Sequence, residues 1–236
     1  MIISGRSDAG KSRSINQDSL YAKKMKIGRH KVCVAAVSDG IGSFKEGGLA
    51  SNIITRSIRG WTEENLVQSI KNNEPINTIL TQMNELLVTI NNYIIYTASM
   101  QKITTGATIS FLVIVDNQYA VAHIGDSRIY KLGNMGLSII TRDHCVMKDG
   151  KILLAQCVGH SSDIDIFNTT GSVQKRDVFF ICSDGFYKWV DLNRLIRNQK
   201  WIFNTYQLSR YTNNSFAQVK GTYCSDDISA IIIKIV

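Results

Sequence analysis

Short apolar runs of five to nine residues recur along the chain and predict strands, several of them covered on both faces. The clearest runs occupy residues 32–37, 109–115, 178–182 and 228–236. Turn-forming residues separate shorter runs between residues 119 and 141, which favours a meander of antiparallel strands. The second half of the chain is therefore predicted to be rich in β-structure.

Helical spacing appears in longer stretches. Apolar residues follow a 3.6-residue period over residues 48–61, and again from the only proline, Pro75, to about residue 100. A third helix is predicted over residues 192–206. The apolar stripes indicate helices that pack on a core. No internal repeat, low-complexity segment or linker interrupts the pattern, so residues 1–236 are interpreted as one domain.

Composition and charge narrow the class of protein. No apolar run approaches the ~20 residues that span a bilayer, so no membrane segment is expected. The N-terminus lacks the apolar region of a secretory signal, and the five cysteines form no C-x-x-C pair, which favours a reducing, cytoplasmic setting. The net charge of +8 favours acidic partners. The densest basic stretch, residues 23–31, lacks alternating aromatic residues and is interpreted as a solvated hairpin, so nucleic acid is not an expected partner.

Aspartates lie where several apolar runs meet the surface. Asp39, Asp126 and Asp184 each adjoin a glycine at the end of a run, and Asp226 precedes the final run. A single Asp-Gly pair is more often a turn than a ligand, as Asp149, which follows no apolar run, illustrates. The recurrence of the arrangement predicts one acidic cluster that gathers hard cations.

The residue types in this cluster point to particular metals. Carboxylates and carbonyls suit Mg²⁺ or Mn²⁺, whereas zinc prefers thiolates and imidazoles. The histidines have no metal-ligand spacing, and His123 is predicted to be a core or interface residue. Two ions bridged by one carboxylate lower the pKa of a shared water and supply a hydroxide nucleophile near neutral pH. Arg13 precedes Asp18 in a turn-rich segment and is a candidate for holding a phosphate through its guanidinium.

One string suggests a different function. Residues 5–12 match the phosphate-binding pattern G-x-x-x-x-G-K-[ST]. A P-loop requires a strand before it and a helix after it, yet residues 13–19 are rich in turn formers and have no helical spacing. The chain also lacks the strand–helix alternation of a parallel sheet. A P-loop nucleotide binder is therefore the weaker alternative to an ordinary turn that enters a strand at Ser19.

Taken in order, the motifs resemble those of the metal-dependent type 2C serine/threonine protein phosphatases, in their compact bacterial form. The resemblance covers nearly the whole chain, and its most specific string is Gly-Asp-Ser-Arg-Ile-Tyr at residues 125–130. The other matching segments are residues 7–19, 38–51, 104–108, 141–144, 158–159, 183–185 and 226–229. Residues 10–13 belong to the first of these segments, which removes the P-loop match.

The resemblance implies a fold and a metal centre. The implied fold is α+β, with two antiparallel β-sheets packed as a sandwich and flanked by pairs of helices in α-β-β-α layers. Two Mg²⁺ or Mn²⁺ ions are implied at one end of the sandwich, with a weaker third. Asp39 would bridge the two ions and the Gly40 carbonyl would bind one of them. Asp184 and Asp226 would hold the other.

Further roles carry over to neighbouring residues. Asp18 would orient the metal-bound water, Arg13 would hold the substrate phosphate, and Asp126 would serve the third ion. In the implied mechanism the water that bridges the two ions attacks phosphorus in line, with no phosphoenzyme.

The chain departs from the family pattern at several places. Gln17 stands where glutamate is frequent and Asp227 where asparagine is common, so one charge is lost and one is gained near the ions. Phe44 occupies the position of a histidine that is a proposed general acid in many relatives. The flap segment at residues 145–156 is shorter than usual. The glutamine, the phenylalanine and the short flap motivate an alternative, a catalytically weak module that binds phosphorylated partners.

The leading interpretation is a cytoplasmic protein serine/threonine phosphatase, a hydrolase that removes phosphate from phosphoserine and phosphothreonine. Its expected partner is a phosphorylated protein, and it would oppose a serine/threonine kinase. The chain is expected to be a monomer with no attachment to a membrane.

Overall fold

The computed structural model describes residues 1–42, 44, 46–191, 194, 196–197 and 202–236. Its strands are β1 Ile2–Asp8, β2 Ser19–Ile27, β3 His30–Ser38, β4 Ile109–Val115, β5 Gln118–Ile124, β6 Arg128–Gly133, β7 Gly136–Ile139, β8 Cys145–Lys148, β9 Lys151–Leu154, β10 Phe167–Ser172, β11 Val178–Cys182 and β12 Ile228–Lys234. Its helices are α1 Gly47–Trp61, α2 Val67–Lys71, α3 Ile76–Gln101, α4 Asp184–Tyr187 and α5 Thr205–Lys220. A π-helical turn, Thr62–Leu66, connects α1 to α2.

The described strands form two antiparallel five-stranded sheets and a separate hairpin of β8 and β9. The first sheet has the order β1-β12-β11-β6-β7, and the second has the order β10-β5-β4-β3-β2. Sequential strands pair across the tight turns of β2–β3, β4–β5 and β6–β7. Strands β5 and β6 lie in different sheets despite the short turn between them, so the meander predicted over residues 119–141 is interrupted at that turn. The first and last strands, β1 and β12, are neighbours in the first sheet.

Alternation along the central strands builds the layers. In β3, Cys33, Ala35 and Val37 belong to the apolar cluster between the two sheets. The intervening Val34 and Ala36 belong to the cluster that the second sheet forms with α1 and α3. Because both faces of β3 are covered, its sequence is a continuous apolar run rather than an alternating one.

Helices cover the outer face of each sheet. Ile54 and Leu87, from α1 and α3, are fully buried against the second sheet. Phe186 and Phe216, from α4 and α5, pack with their ring centroids 5.3 Å apart over the first sheet. The result is the α-β-β-α sandwich that the family resemblance implied, so the predicted fold class is confirmed.

Most predicted elements are present with small shifts in their ends. The basic stretch at residues 23–31 lies in the β2–β3 hairpin, and His123 is completely buried in β5. The P-loop reading is excluded, because no helix follows the turn at residues 9–18 and β2 begins at Ser19. Of the helix predicted over residues 192–206, positions 192, 193, 195 and 198–201 lie outside the described residues. Ile202 and Phe203 precede α5, which begins at Thr205.

The sheets share one end, where β3, β5 and β11 finish and where β2 and β12 start. The register shows this directly, since Ser38 pairs with Ser19 and Cys182 pairs with Ala230. Every aspartate singled out from the sequence, apart from the Asp149 control, adjoins this end. Within the described part of the chain, no helix combines the length and apolarity needed to cross a bilayer. The five cysteines are all unpaired.

Candidate active site

The floor of the candidate site is the turn that follows β3. The Asp39 backbone N–H donates to Thr108 Oγ1 at 3.1 Å, and the Thr108 N–H donates to the Asp39 carbonyl at 2.9 Å. A second hydroxyl, Ser127 Oγ, lies 2.7 Å from Thr108 Oγ1. These bonds connect the ends of β3 and β4 to the turn after β5, so the backbone of Asp39 is fixed while its carboxylate extends from the sheet.

Glycine at position 40 is required by close packing. A Cβ atom there would lie 2.5 Å from the carbonyl oxygen of Gln17 and 2.7 Å from the backbone of Gly47. Position 125 requires glycine for a different reason, since its φ of +112° is a conformation that other residues rarely adopt. Both glycines bring backbone loops together around the acidic residues.

The carboxylates converge around Asp39. Burial raises the pKa of Asp39 well above its usual range, and the negative charges of neighbouring carboxylates raise it further. In order of decreasing effect, those neighbours are Asp18, Asp184, Asp226 and Asp126. The structure thus brings together all five predicted acidic residues, close enough for their charges to interact.

Asp18 is the most enclosed member of this group. Its side chain is almost completely buried, and neither carboxylate oxygen has a hydrogen-bond partner of ordinary length. Burial raises the pKa of Asp18 to about 7, although nearby Ser229, Asp39 and Ser183 partly oppose that increase. Buried acceptors without donors are rare in folded proteins, so these oxygens are available to a group that binds at the site.

The other acids have related environments. Asp184 Oδ1 is also buried without a hydrogen-bond partner. Burial raises the pKa of Asp126 to about 6, and the charge of Asp184 adds to that increase, whereas Lys188 lowers it. Oxygen-only donors with this density of negative charge fit Mg²⁺ or Mn²⁺.

Two side-chain cations partly balance this charge. Arg13 Nη2 donates to Asp226 Oδ1 at 2.9 Å, and Lys188 Nζ donates to Asp184 Oδ2 at 2.6 Å. Among the described residues, no three acidic, imidazole or thiol side chains form a ready-made metal-binding group. The carboxylates lie together at one end of the sandwich, but Asp226 and Asp184 are paired with Arg13 and Lys188 and not with one another.

Arg13 lies where a phosphate-binding residue was predicted. The only other hydrogen bond of its guanidinium in the described structure is a long one, 3.4 Å, from Nη1 to the Gly42 carbonyl. A guanidinium has five N–H donors, so several remain for an incoming anion. The geometry is compatible with one arginine that contacts both Asp226 and a phosphate.

Asp227 has a structural role in addition to its negative charge, which helps to raise the pKa of neighbouring Asp18. The sequence interpretation treated it as an additional negative charge near the ions. In the structure it is buried, and its carboxylate accepts the backbone N–H groups of Gly10 at 3.0 Å and Gln17 at 2.8 Å. It therefore attaches the loop that carries Arg13 and Asp18 to the start of β12.

The position expected to hold a histidine is occupied by Phe44, whose ring stacks on His160 with a centroid distance of 6.0 Å. The short flap is the β8–β9 hairpin. Val146, Met147 and Ile152 on this hairpin are more than half exposed. The flap thus presents apolar side chains to solvent beside the acidic end of the sandwich.

The sequence interpretation overlooked two contributors. Lys188 contacts Asp184, and Ser127 supports Thr108. The spacing of four residues between Asp184 and Lys188 was a usable signal, because side chains at i and i+4 lie on the same face of a helix. The contact of Ser127 with Thr108 joins residues distant in the chain and has no local signal.

Comparison with known proteins places the chain in a family. A family model described as "Protein phosphatase 2C" matches residues 5–222. The serine/threonine phosphatase stp of Listeria welshimeri is 26% identical over 198 residues, which cover 76% of this chain and 75% of that protein. The protein phosphatase PhpP of Streptococcus pneumoniae is 26% identical over 204 residues, 78% of each chain.

Solved structures show the same fold. The serine/threonine phosphatase of S. agalactiae superposes with a TM-score of 0.84 at 20% identity, covering 99% of both chains. The catalytic domain of the phosphatase PstP, solved in complex with two manganese ions, superposes with a TM-score of 0.80 at 20% identity and covers 99% of this chain and 98% of that one. Because the family model matches most of this chain and the solved phosphatases share its fold, the chain belongs to the protein phosphatase 2C family.

Proposed function

We propose that this protein phosphatase removes phosphate from phosphoserine and phosphothreonine in proteins and requires two Mg²⁺ or Mn²⁺ ions. The observation that carries the proposal is the convergence of Asp18, Asp126, Asp184 and Asp226 around Asp39, with buried carboxylate oxygens that lack any donor. A cluster of this charge is stabilised by hard cations, which prefer oxygen ligands.

The residues that would hold the ions are those at the ends of the central strands. Asp39 and the Gly40 carbonyl lie at the end of β3, where Thr108 fixes the backbone. Asp184 begins α4 and Asp226 precedes β12, on the facing sheet. When bound, the two ions would lower the pKa of a water and supply the nucleophile near neutral pH.

Two further side chains would prepare the reaction. The enclosed carboxylate of Asp18 would accept a hydrogen bond from the attacking water and orient it. Arg13 would bind the phosphate oxygens with the N–H donors that it does not use for Asp226. Phe44 has no group that can donate a proton, so the leaving hydroxyl would obtain its proton from a source other than this position.

The wider setting follows from the same proposal. Relatives are named as serine/threonine phosphatases, which supports a phosphorylated protein as substrate and a serine/threonine kinase as the opposing enzyme. The unpaired cysteines support the cytoplasmic location predicted from the sequence. We keep the monomeric state as a prediction.

The test compares phosphate release from a phosphothreonyl peptide by the wild-type protein and by two variants. Asp39→Asn removes the central carboxylate and is expected to reduce Mn²⁺-dependent release at least about a thousandfold, because the nucleophile would no longer be held. Asp149→Asn makes the same chemical change in the β8–β9 turn, outside the candidate site, where Asn tolerates the φ of 50°. This control is expected to retain wild-type release.

Three results would count against the proposal. Undiminished release by the Asp39 variant would contradict the assigned role of the carboxylate. Release that persists after chelation of divalent ions would contradict the metal requirement. Tight binding of the phosphopeptide by the wild-type protein without any release at saturating Mn²⁺ would instead support a binding module.

A further inference from the structure

Lys188 lies at the corner of the site where a third ion was expected. It follows α4 directly, four residues after Asp184, and its ammonium donates to Asp184 Oδ2 at 2.6 Å. Asp126 is the residue expected to serve the third ion. The positive charge of Lys188 lowers the pKa of Asp126, and the negative charge of Asp184 raises it. Lys188 therefore contacts Asp184 and lines the same groove as Asp126, close enough for their charges to interact.

The surroundings leave Lys188 as the cation available to this corner. Asp126 and Lys188 line a groove of about 420 Å³ that also contains Arg128 and Tyr187. The Arg128 guanidinium is committed elsewhere, since it donates to both carboxylate oxygens of Asp143 at 2.7 and 3.0 Å and stacks 4.1 Å over the Tyr187 ring. Among the described residues that line the groove, Lys188 is the cation whose carboxylate partner, Asp184, belongs to the acidic cluster, whereas Arg128 is paired with Asp143.

The lysine is also free to stay hydrated. Its side chain is 53% exposed, so the ammonium reaches the carboxylates from the open side of the groove and is not forced into the core. A divalent ion binding between Asp126 and Asp184 would have to displace the ammonium from Asp184 Oδ2. It would also experience repulsion from the displaced charge, which remains tethered to α4.

We propose that the ammonium of Lys188 takes the place of a third divalent ion between Asp184 and Asp126. This inference rests on the proposed function, since it assumes that Asp39, Asp184 and Asp226 hold the two principal ions. The protein would then bind two ions and would supply the remaining positive charge at this corner itself. Unlike a dissociable ion, this charge does not depend on the free metal concentration.

The test is a count of bound Mn²⁺ by equilibrium dialysis over a range of free Mn²⁺, together with the electron paramagnetic resonance signal of unbound Mn²⁺. The wild-type protein is expected to bind two ions. Lys188→Met keeps most of the aliphatic stem but removes the charge. It is expected to bind a third ion at a free Mn²⁺ concentration at least about tenfold below any at which the wild type binds more than two, as the loss of one unit charge at this range would allow. Lys188→Arg keeps the charge and is expected to match the wild type.

A double variant locates the additional ion. Asp126→Asn combined with Lys188→Met is expected to return the count to two, because the extra ion would lose a ligand. Equal counts and affinities for the wild type and Lys188→Met would overturn the inference. A third ion in the wild-type protein that disappears in Asp126→Asn alone would also overturn it.

A second readout does not depend on bound metal. In the presence of a chelator, Lys188→Met is expected to unfold at a lower temperature than Lys188→Arg, because Asp184 and Asp126 lose their counterion. Equal unfolding temperatures would argue against the pairing. Failure of the proposed function has a different signature, namely a wild-type protein that binds no Mn²⁺ sensitive to Asp39→Asn.

Discussion

His123 is a buried imidazole whose neighbours determine its protonation. Its Nε2 lies 3.0 Å from the Gly125 carbonyl, which only accepts, so Nε2 carries the hydrogen. Its Nδ1 lies 3.0 Å from the Ser110 hydroxyl, which can donate to it. Burial, with a smaller contribution from the neighbouring His144, lowers the pKa of His123 to about 4. The imidazole is therefore neutral in the folded protein at physiological pH.

This environment predicts a pH dependence of stability. Below a pH of about 6.5 the unfolded chain binds a proton at His123 and the folded protein does not, so stability falls as the pH decreases from about 6.5 towards about 4. Between pH 7 and pH 5 we expect this residue to remove about 2 kcal/mol from the free energy of unfolding. Urea unfolding at several pH values measures this loss, which is expected in the wild type and not in His123→Gln.

The comparison of slopes isolates the histidine. The raised pKa values of Asp18 and Asp126 act in the opposite direction, but they are present in both proteins and cancel. Wild-type and variant stabilities that fall in parallel with decreasing pH would show that His123 is not the titrating group.

At the scale of single residues, the acidic positions were predictable and their partners were not. Asp39 and Asp184 follow apolar strands, and the end of a strand is visible in the sequence. Asp227, by contrast, was interpreted only as a charge near the ions, and its hydrogen bonds to the loop of Gly10 and Gln17 were not predicted. That contact joins residues more than 200 positions apart and has no periodic signal.

Among the elements, predictability followed burial. Strands β4 and β11 have the predicted bounds, because apolar runs covered on both faces leave a continuous pattern. The hairpin of β8 and β9 was missed since much of its surface is exposed and no alternation marks it. Helix α5 was missed as well, because Leu208, Phe216 and its other apolar positions are spread among polar and β-branched residues.

The end of α3 offers a test at the element scale. Its C-terminal cap, Lys102, adopts φ 53° and ψ 42°, a left-handed conformation in which a side chain is unfavourable. Lys102→Gly is expected to raise the free energy of unfolding by about 1 kcal/mol. Met100→Gly, at an exposed position in the last turn of the same helix, is expected to lower it by up to about 1 kcal/mol. Urea unfolding of the two variants and the wild type measures both changes. Changes of the same sign in the free energy of unfolding would contradict the assigned cost of the left-handed conformation at Lys102.

On the scale of the whole molecule, the two sheets are held together by one apolar cluster to which both contribute, including Val37 and Leu112 from the second sheet and Phe179 and Ile231 from the first. The interpretation of residues 1–236 as one domain remains a prediction. What the shared core does explain is how carboxylates from two sheets are kept near one another despite their mutual repulsion.

That repulsion predicts a crossed pattern of stability. Without metal, Asp39→Asn is expected to raise the unfolding temperature, because it removes a carboxyl group whose ionisation is opposed by burial and by four other carboxylates. With Mn²⁺ at about 100 times its dissociation constant, the wild type is expected to gain about 2.7 kcal/mol and the variant much less. Thermal unfolding with chelator and with Mn²⁺ tests both halves.

The control for this pattern is Asp149→Asn, which is expected to behave like the wild type under both conditions. A variant that is less stable without metal, or one that gains as much from Mn²⁺ as the wild type, would be inconsistent with a metal cluster centred on Asp39.

The pairing of β1 with β12 has a consequence for the order of events during synthesis. In the described structure β1 lies at the edge of its sheet and pairs only with β12, and Arg13 meets Asp226 across 213 positions. A ribosome adds about 5–20 residues per second, so β1 and the first loop wait on the order of ten to forty seconds for their partners. A nascent chain thus cannot bring Arg13 to Asp226 or complete the candidate site until β12 has emerged.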